Sequence, residues 1–533
     1  MPASTAPHSG ATASSAGMLA PFVGELDKIA PSFKINGSQI QVLQTPTEFY
    51  ETLKVSSPYL LCWLEVDSQI AGQNSESREA HLLVNLVHRK IGGGIGNCFF
   101  QQPHGEHLTD LCQIATLRET LRAKPQLKLS ILTDALRGTR EAPDPSCASL
   151  LAPLIAEFGP DRVEIRLYHT PNLTGLRKKY IPNRINEGWG LQHMKLYGVD
   201  DEIILSGANL SSDYFTNRQD RYHLFSSKDV TEYFSNLHGA VSSLSFLVSP
   251  SDSPSGFKMT WPETNSAPSP LADPKQFVAE ATGLLAGLIS PKTTALTAND
   301  STPTDKKDTS VYVLSQFSQL LSPDTSTELP AVTHVLRTLS APQYATSSWT
   351  FTAGYFNPAP SLAQHLLSTA SEKGTVITAS PDANGFYKSP GVSGLLPGAY
   401  TLLARRFLRS VHHQKRDSAI TLREWKKGAV DEPDRWTYHA KGLWVALPHN
   451  ENPSITLVGS SNYTKRSYSL DLEANALIVT ENEELKKRLG DEQRWLQENT
   501  ALVTRDDFAK TERRVGFKVR FAMMMVQLLG GAL

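Results

Sequence analysis

Cysteine is scarce in this chain, and the four that occur, Cys62, Cys98, Cys112 and Cys147, stand apart with neither a CxxC pair nor a neighbouring His. That argues against a zinc site and against a disulfide framework, and it fits a reducing compartment. Neither sign of charge is in excess: 52 Lys and Arg face 53 Asp and Glu, for a formal net charge of −1. A broadly basic nucleic-acid surface is therefore not expected, and any anion site has to be local. No run approaches the roughly 18 apolar residues of a membrane-spanning helix. The opening MPASTAPHSGATASSAG lacks the basic-then-apolar pattern of a secretory signal. With no Arg before Arg78, it also lacks the Arg-rich character of an organellar transit peptide. A soluble or peripheral protein is the expectation.

The length of 533 residues exceeds what one hydrophobic core organises, so two domains are expected. Residues 1–35 are small and polar enough to read as a disordered tail. A first α/β domain is expected over 36–270, where apolar strands such as LKLSILTD and VEIRLY alternate with the helical SLLAPLIAEFG. Residues 271–309 read as a short apolar helix followed by a polar linker, PKTTALTANDSTPTDKKDTS. A second α/β set occupies 310–500 and reuses the first pattern. The remaining 501–533 mixes Arg513, Arg514, Lys518 and Arg520 with Phe517, Phe521 and three consecutive Met. Such a segment suits an interfacial helix or one packed on its own domain. Within the first domain, 55–112 is atypical, and its glycine run IGGGIG lacks the register of a dinucleotide-binding turn.

The chemistry is carried by a line that occurs twice. HMKLYGVDDEIILSGANL begins at His193, and HAKGLWVALPHNENPSITLVGSSNY begins at His439. Side chains two apart on an extended segment share a face, so His193 projects with Lys195 and His439 with Lys441. A turn and a return strand then bring Asn209 and Asn462, whose amides are hydrogen-bond donors. Eleven residues after each Asn stands a carboxylate, Asp220 in one copy and Glu473 in the other. Phosphoryl transfer needs this set: one imidazole to attack phosphorus, a second to move a proton, and a carboxylate to fix each tautomer. Cations and amides hold the non-bridging oxygens. A lone HxK carries little weight, as His413 and Lys415 show in the charged stretch HHQKRD with no strand or Asn behind them.

HMKLYGVD matches the HxK(x)4D motif of the phospholipase D superfamily, whose members join two such motifs at a pseudo-two-fold interface. More narrowly, LTDALRGTRE, YHTPNLTGLRKKYIP, the long line through NRQDRY, TAGYFN and HAKGLW resemble the eukaryotic phosphatidylglycerophosphate synthases over most of residues 113–480. The resemblance implies two phospholipase D-like domains, each a mixed sheet flanked by helices, sharing one active site. It implies transfer of the phosphatidyl group of CDP-diacylglycerol to glycerol-3-phosphate through a phosphohistidine, with no metal or other cofactor. CMP is released, and the product is the precursor of cardiolipin. It also implies a mitochondrial protein on the inner membrane, peripheral to an anionic lipid surface. Carried over by motif, the catalytic positions are His193, Lys195, Asp200, His439 and Lys441.

Two positions depart from the motif: Ala446 stands where the second copy should have Asp, and Gly207 stands where the second copy has Ser460. Ser460 is a candidate phosphate contact. For the phosphate of the acceptor, the basic residues Arg137, Arg140, Arg177, Lys178, Lys179 and Arg184 are candidates. The alternatives are a phospholipase D-type hydrolase or nuclease, and an inactive lipid-binding homologue. The 55–112 stretch does not resemble the early strand and helix of the family; a retained intron or faulty gene model there would damage the first domain's first strand.

Overall fold

The computed structural model describes residues 15–55, 81–86, 114, 117–182, 186–291, 307–389, 391–428, 432 and 434–528. Arg184, the glycine run at 91–96 and most of the 55–112 stretch lie outside them.

Among the described residues, two nine-stranded mixed sheets carry the chain. In the first, Val163–Tyr168, Lys128–Asp134 and His81–Leu86 run parallel, followed antiparallel by Leu196–Val199, Glu202–Ser206 and Tyr222–Ser226. In the second, Ile420–Trp425, Lys373–Ala379 and Ser348–Ala353 run parallel, followed antiparallel by Lys441–Ala446, Ile455–Gly459 and Glu473–Thr480. The order is the same, which bears out one fold used twice. The strand His81–Leu86 takes the place in the first sheet that Ser348–Ala353 takes in the second.

Alternation along these strands explains the stacking. In Glu473–Thr480, Ala474, Ala476 and Ile478 enter one apolar cluster, while Leu477 and Val479 enter another. In Glu202–Ser206, Ile203 and Leu205 enter that same first cluster, while Ile204 faces the helices of its own half. The two sheets therefore share a middle core, and each has an outer layer of helices, the arrangement expected of strands apolar on both faces. Each fully buried Leu or Ile there contributes on the order of 1.5–3 kcal/mol.

The expected disordered tail is corrected in part. Residues Ser15–Ile29 form a helix whose Leu19, Phe22 and Leu26, spaced to lie on one face, are buried with Val332, Val335 and Leu336 of the helix Glu328–Thr338. The small polar residues ahead of it mask this spacing in the sequence. The domain borders shift too. Ser32–Ile35 pairs with Thr309–Gln316 in the second sheet, and Ile40–Leu43 pairs with Tyr222–Ser226 in the first. The apolar helix of the linker is present as Pro274–Ile289, capped by Asp273 and buried through Phe277, Ala281, Leu285 and Ile289 in the middle core.

Candidate active site

The site begins with two short stretches where the halves cross. Just before each motif histidine, the backbone runs parallel to the backbone just before the other half's carboxylate. The His193 amide donates to Leu472 O at 2.9 Å, and the Leu472 amide to Leu191 O at 2.8 Å. In the mirror stretch, the His439 amide donates to Gln219 O at 2.8 Å, and Thr437–Tyr438 pairs with Arg218–Gln219. This main-chain exchange sets the side chains that follow: His193 faces Glu473, and His439 faces Asp220. The two expected carboxylates thus serve the imidazoles of opposite copies.

His193 Nδ1 lies 2.9 Å from each oxygen of Glu473. His439 Nδ1 lies 2.7 Å from Asp220 Oδ2, with Lys441 Nζ also 2.7 Å from that nitrogen and the Tyr214 hydroxyl at 3.1 Å. The lysines stand behind the imidazoles, where Lys195 Nζ donates to His193 O at 2.6 Å and Lys441 Nζ to His439 O at 3.1 Å. Burial, reinforced by the charges of Lys195, Arg137, Lys441 and Arg466, holds His193 well below the ordinary imidazole value. Burial also pushes the Glu473 carboxyl well above its ordinary value; a neutral His193 that gives its Nδ1–H to Glu473 carries the free lone pair on Nε2. Burial likewise lowers Lys195 and Lys441 from the ordinary lysine value.

Both imidazoles and both motif asparagines, Asn209 and Asn462, line one cavity of about 220 Å³. Arg137 and Arg466 give it a cationic side, and Tyr355, Phe386, Leu396 and Tyr400 an apolar one. Arg137 donates to Glu187 Oε2 at 3.0 Å, and Arg466 Nε to Asp471 Oδ2 at 2.9 Å, so each guanidinium is held in place. Asp134 fixes the approach to His193: it accepts from the amides of Leu136 and Arg137 and, through its other oxygen, from the amide of Gln192 at 2.9 Å. Burial raises its carboxyl to about 6.

Several expected site residues stand elsewhere. Asp200 is exposed in the hairpin turn between Leu196–Val199 and Glu202–Ser206, at a left-handed φ of 51°, so it shapes the turn and does not reach the cavity. Its counterpart Ala446 ends a strand and is buried, in a copy whose connection is longer. Ser460 is fully buried and donates to Glu473 Oε2 at 2.5 Å, so its hydroxyl serves the carboxylate instead of phosphate. At the matching Gly207, a Cβ would come within 2.5 Å of Lys441 Nζ and 2.8 Å of Asp220 Oδ1. The departure from the motif is thus the room those two groups need. Arg140 pairs with Glu187 and does not line the cavity. Arg177, Lys178 and Lys179 lie exposed on the helix Gly175–Tyr180. Sequence reasoning missed Arg466, Asp471 and Tyr214. The only signal for the first two was the RSYSLD run between Asn462 and Glu473.

The repeated sheet and the paired motifs meeting in one cavity define a two-motif phospholipase D-like protein. A phosphatidylserine synthase from Haemophilus influenzae Rd KW20 has this fold, with a TM-score of 0.63 and 17% identity over 96% of this chain and 97% of that one. No family model matches the chain. A CDP-diacylglycerol–glycerol-3-phosphate 3-phosphatidyltransferase of Saccharomyces cerevisiae is 41% identical, covering 92% of this chain and 88% of the relative. One from Schizosaccharomyces pombe is 37% identical over 89% and 92%, and a mitochondrial one from Homo sapiens is 31% identical over 94% and 84%. The chain belongs to the CDP-diacylglycerol–glycerol-3-phosphate 3-phosphatidyltransferase family.

Proposed function

We propose that this protein transfers the phosphatidyl group of CDP-diacylglycerol to glycerol-3-phosphate, with His193 as nucleophile. The observation that carries the reading is the meeting of His193 and His439 in one cavity, in a chain of this family. In the first step, the lone pair of His193 Nε2 attacks the phosphorus that bears diacylglycerol. The pyrophosphate P–O bond breaks, and CMP leaves with its electron pair. In the second, a hydroxyl of glycerol-3-phosphate attacks the same phosphorus, the P–N bond breaks, and the hydroxyl proton passes to His439. The asparagine amides line the cavity and stabilise charge on the phosphoryl oxygens, while Lys195 and Lys441 act from behind the imidazoles. Arg137 and Arg466, the two guanidinium groups that line the cavity, take the acceptor's own phosphate in this reading.

The assignment of roles rests on surroundings. His193 Nδ1 is addressed by both oxygens of one carboxylate, whereas His439 Nδ1 shares its carboxylate with the Lys441 ammonium and the Tyr214 hydroxyl. The first arrangement suits a neutral nucleophile, and the second a proton relay. Animal relatives are named mitochondrial, and a mitochondrial place, peripheral to the inner membrane, is part of the reading. Among the described residues no helix is long and apolar enough to cross a membrane.

The test is single-turnover CMP release, in EDTA, from enzyme in excess over CDP-diacylglycerol. His439→Ala is expected to release CMP and retain a covalent phosphatidyl adduct on His193, while His193→Ala releases none. Phosphatidic acid from wild type, formed with or without glycerol-3-phosphate, would make the protein a hydrolase. No CMP release from folded wild-type protein would make it an inactive homologue.

A further inference from the structure

Among its described side chains, the helix Phe517–Leu528 packs through one face. Met523 is buried, with Val515 and Val519 beside it, against Ala399, Leu402 and Leu403 of the helix Leu396–His413. A Cβ on Gly398 would meet Val519 at 3.3 Å, so the two helices approach closely at that point. The opposite face is bare and apolar. Phe517 is 80% exposed, Phe521 48% and Met524 47%, and the two rings stack one helical turn apart with centroids at 6.1 Å. Exposed Arg514, Lys518 and Arg520 flank this face, and no acidic residue occurs from 513 to 528.

The supporting helix Leu396–His413 has a second role. Its first turns put Leu396 and Tyr400 into the apolar wall of the catalytic cavity, and Val392, just before it, is 78% exposed. The same helix thus forms one wall of the site and carries the bare aromatic face. A donor whose acyl chains stay in a membrane has to present its headgroup to that cavity from the apolar side.

We propose that the outer face of Phe517–Leu528 is the surface that seats this protein on a bilayer containing anionic lipid. Phe517, Phe521 and Met524 enter the acyl boundary, and Arg514, Lys518 and Arg520 meet the anionic headgroups. The helix Leu396–His413 links this surface to the site, since it packs on Phe517–Leu528 and lines the cavity with Leu396 and Tyr400. This rests on the reading of the donor as a membrane lipid, and it adds the residues that make the contact.

The test is flotation of the full chain with vesicles of phosphatidylcholine alone or mixed with an anionic phospholipid. It is paired with two turnover assays, one on CDP-diacylglycerol in the vesicles and one on a short-chain, monomerically soluble CDP-diacylglycerol. Wild type is expected to float with the mixed vesicles and far less with phosphatidylcholine. Phe517→Ser with Phe521→Ser is expected to lose binding and vesicle turnover by on the order of tenfold or more, with turnover of the soluble donor unchanged. Lys518→Glu with Arg520→Glu should erase the difference between the two vesicle types. The proposal is overturned if the Phe variant floats like wild type, or if binding is lost instead on Leu176→Ser with Tyr180→Ser, the other exposed apolar pair beside basic residues. A wild type that floats but does not turn over the soluble donor would count against the proposed reaction and leave the docking surface standing.

Discussion

Glu473 accepts the Nδ1 hydrogen of His193 across 280 residues of sequence, and Asp220 stands in the same relation to His439 across 219. The exchange makes each half of the protein incomplete: a histidine of one half is oriented only when the other half is in place. Glu473→Gln keeps the shape but offers Nδ1 an amide in place of a charge. By analogy with loss of the orienting carboxylate in other imidazole sites, kcat is expected to fall by on the order of 10³–10⁴. Asp220→Asn is expected to spare the first half-reaction. Rapid-quench measurement of CMP release separates the two, and a CMP burst that survives in Glu473→Gln and vanishes in Asp220→Asn would reverse the roles of the histidines.

Asp200 gives the contrasting prediction. It belongs to the HxK(x)4D line, yet it sits exposed in a turn at φ 51°. Asparagine adopts that conformation readily and a β-branched residue does not. Asp200→Asn is therefore expected to keep full activity, and Asp200→Val to cost on the order of 1–2 kcal/mol of stability with little loss of activity per folded molecule. Steady-state assays beside urea unfolding decide it. A large fall in kcat for Asp200→Asn at unchanged stability would return this residue to the catalytic set.

The reach of the sequence can be judged from these same residues. The two copies, their His, Lys, Asn and acid in equal register, were legible because chemistry restricts residue type and spacing. The strand pattern was legible because alternate residues feed two apolar layers. The exchange of Asp220 and Glu473 was not, since spacing within a copy is identical whether the acid faces its own histidine or the other. Nor was the role of Gly207, which depends on Lys441 and Asp220 arriving from elsewhere in the fold. The helix at Ser15–Ile29 was hidden by the small polar residues in front of it, and Arg466 by the absence of any motif around it.

Arg466 carries the third prediction. Its guanidinium lines the cavity with Nε and Nη2 held by Asp471 and Glu187 O, which leaves Nη1 to meet a phosphate from a fixed position that a flexible ammonium does not hold. Arg466→Lys is expected to raise the KM for glycerol-3-phosphate by about 10- to 100-fold, the scale of one or two charge-assisted hydrogen bonds, with a smaller effect on the KM for CDP-diacylglycerol. Varying each substrate at saturation of the other measures both. An equal rise for the two substrates would remove Arg466 from the acceptor subsite.

A last prediction concerns pH. Glu328, at the start of the helix Glu328–Thr338, is fully buried and accepts from Asn475 Nδ2 at 2.9 Å. Burial outweighs its hydrogen bonds and pushes its carboxyl up to about 8 from the ordinary 4.5. The folded protein then holds a proton across that interval that the unfolded chain has released. Its contribution to stability is complete below the unfolded value and is lost as pH rises towards 8, at a limiting rate of about 1.4 kcal/mol per pH unit for one proton. Glu328→Gln keeps an uncharged group of the same shape and has no proton to lose. Urea unfolding at pH 5, 6, 7 and 8 should show wild type losing stability relative to the variant at each step. Parallel curves would mean that Glu328 titrates in the fold as it does in the unfolded chain.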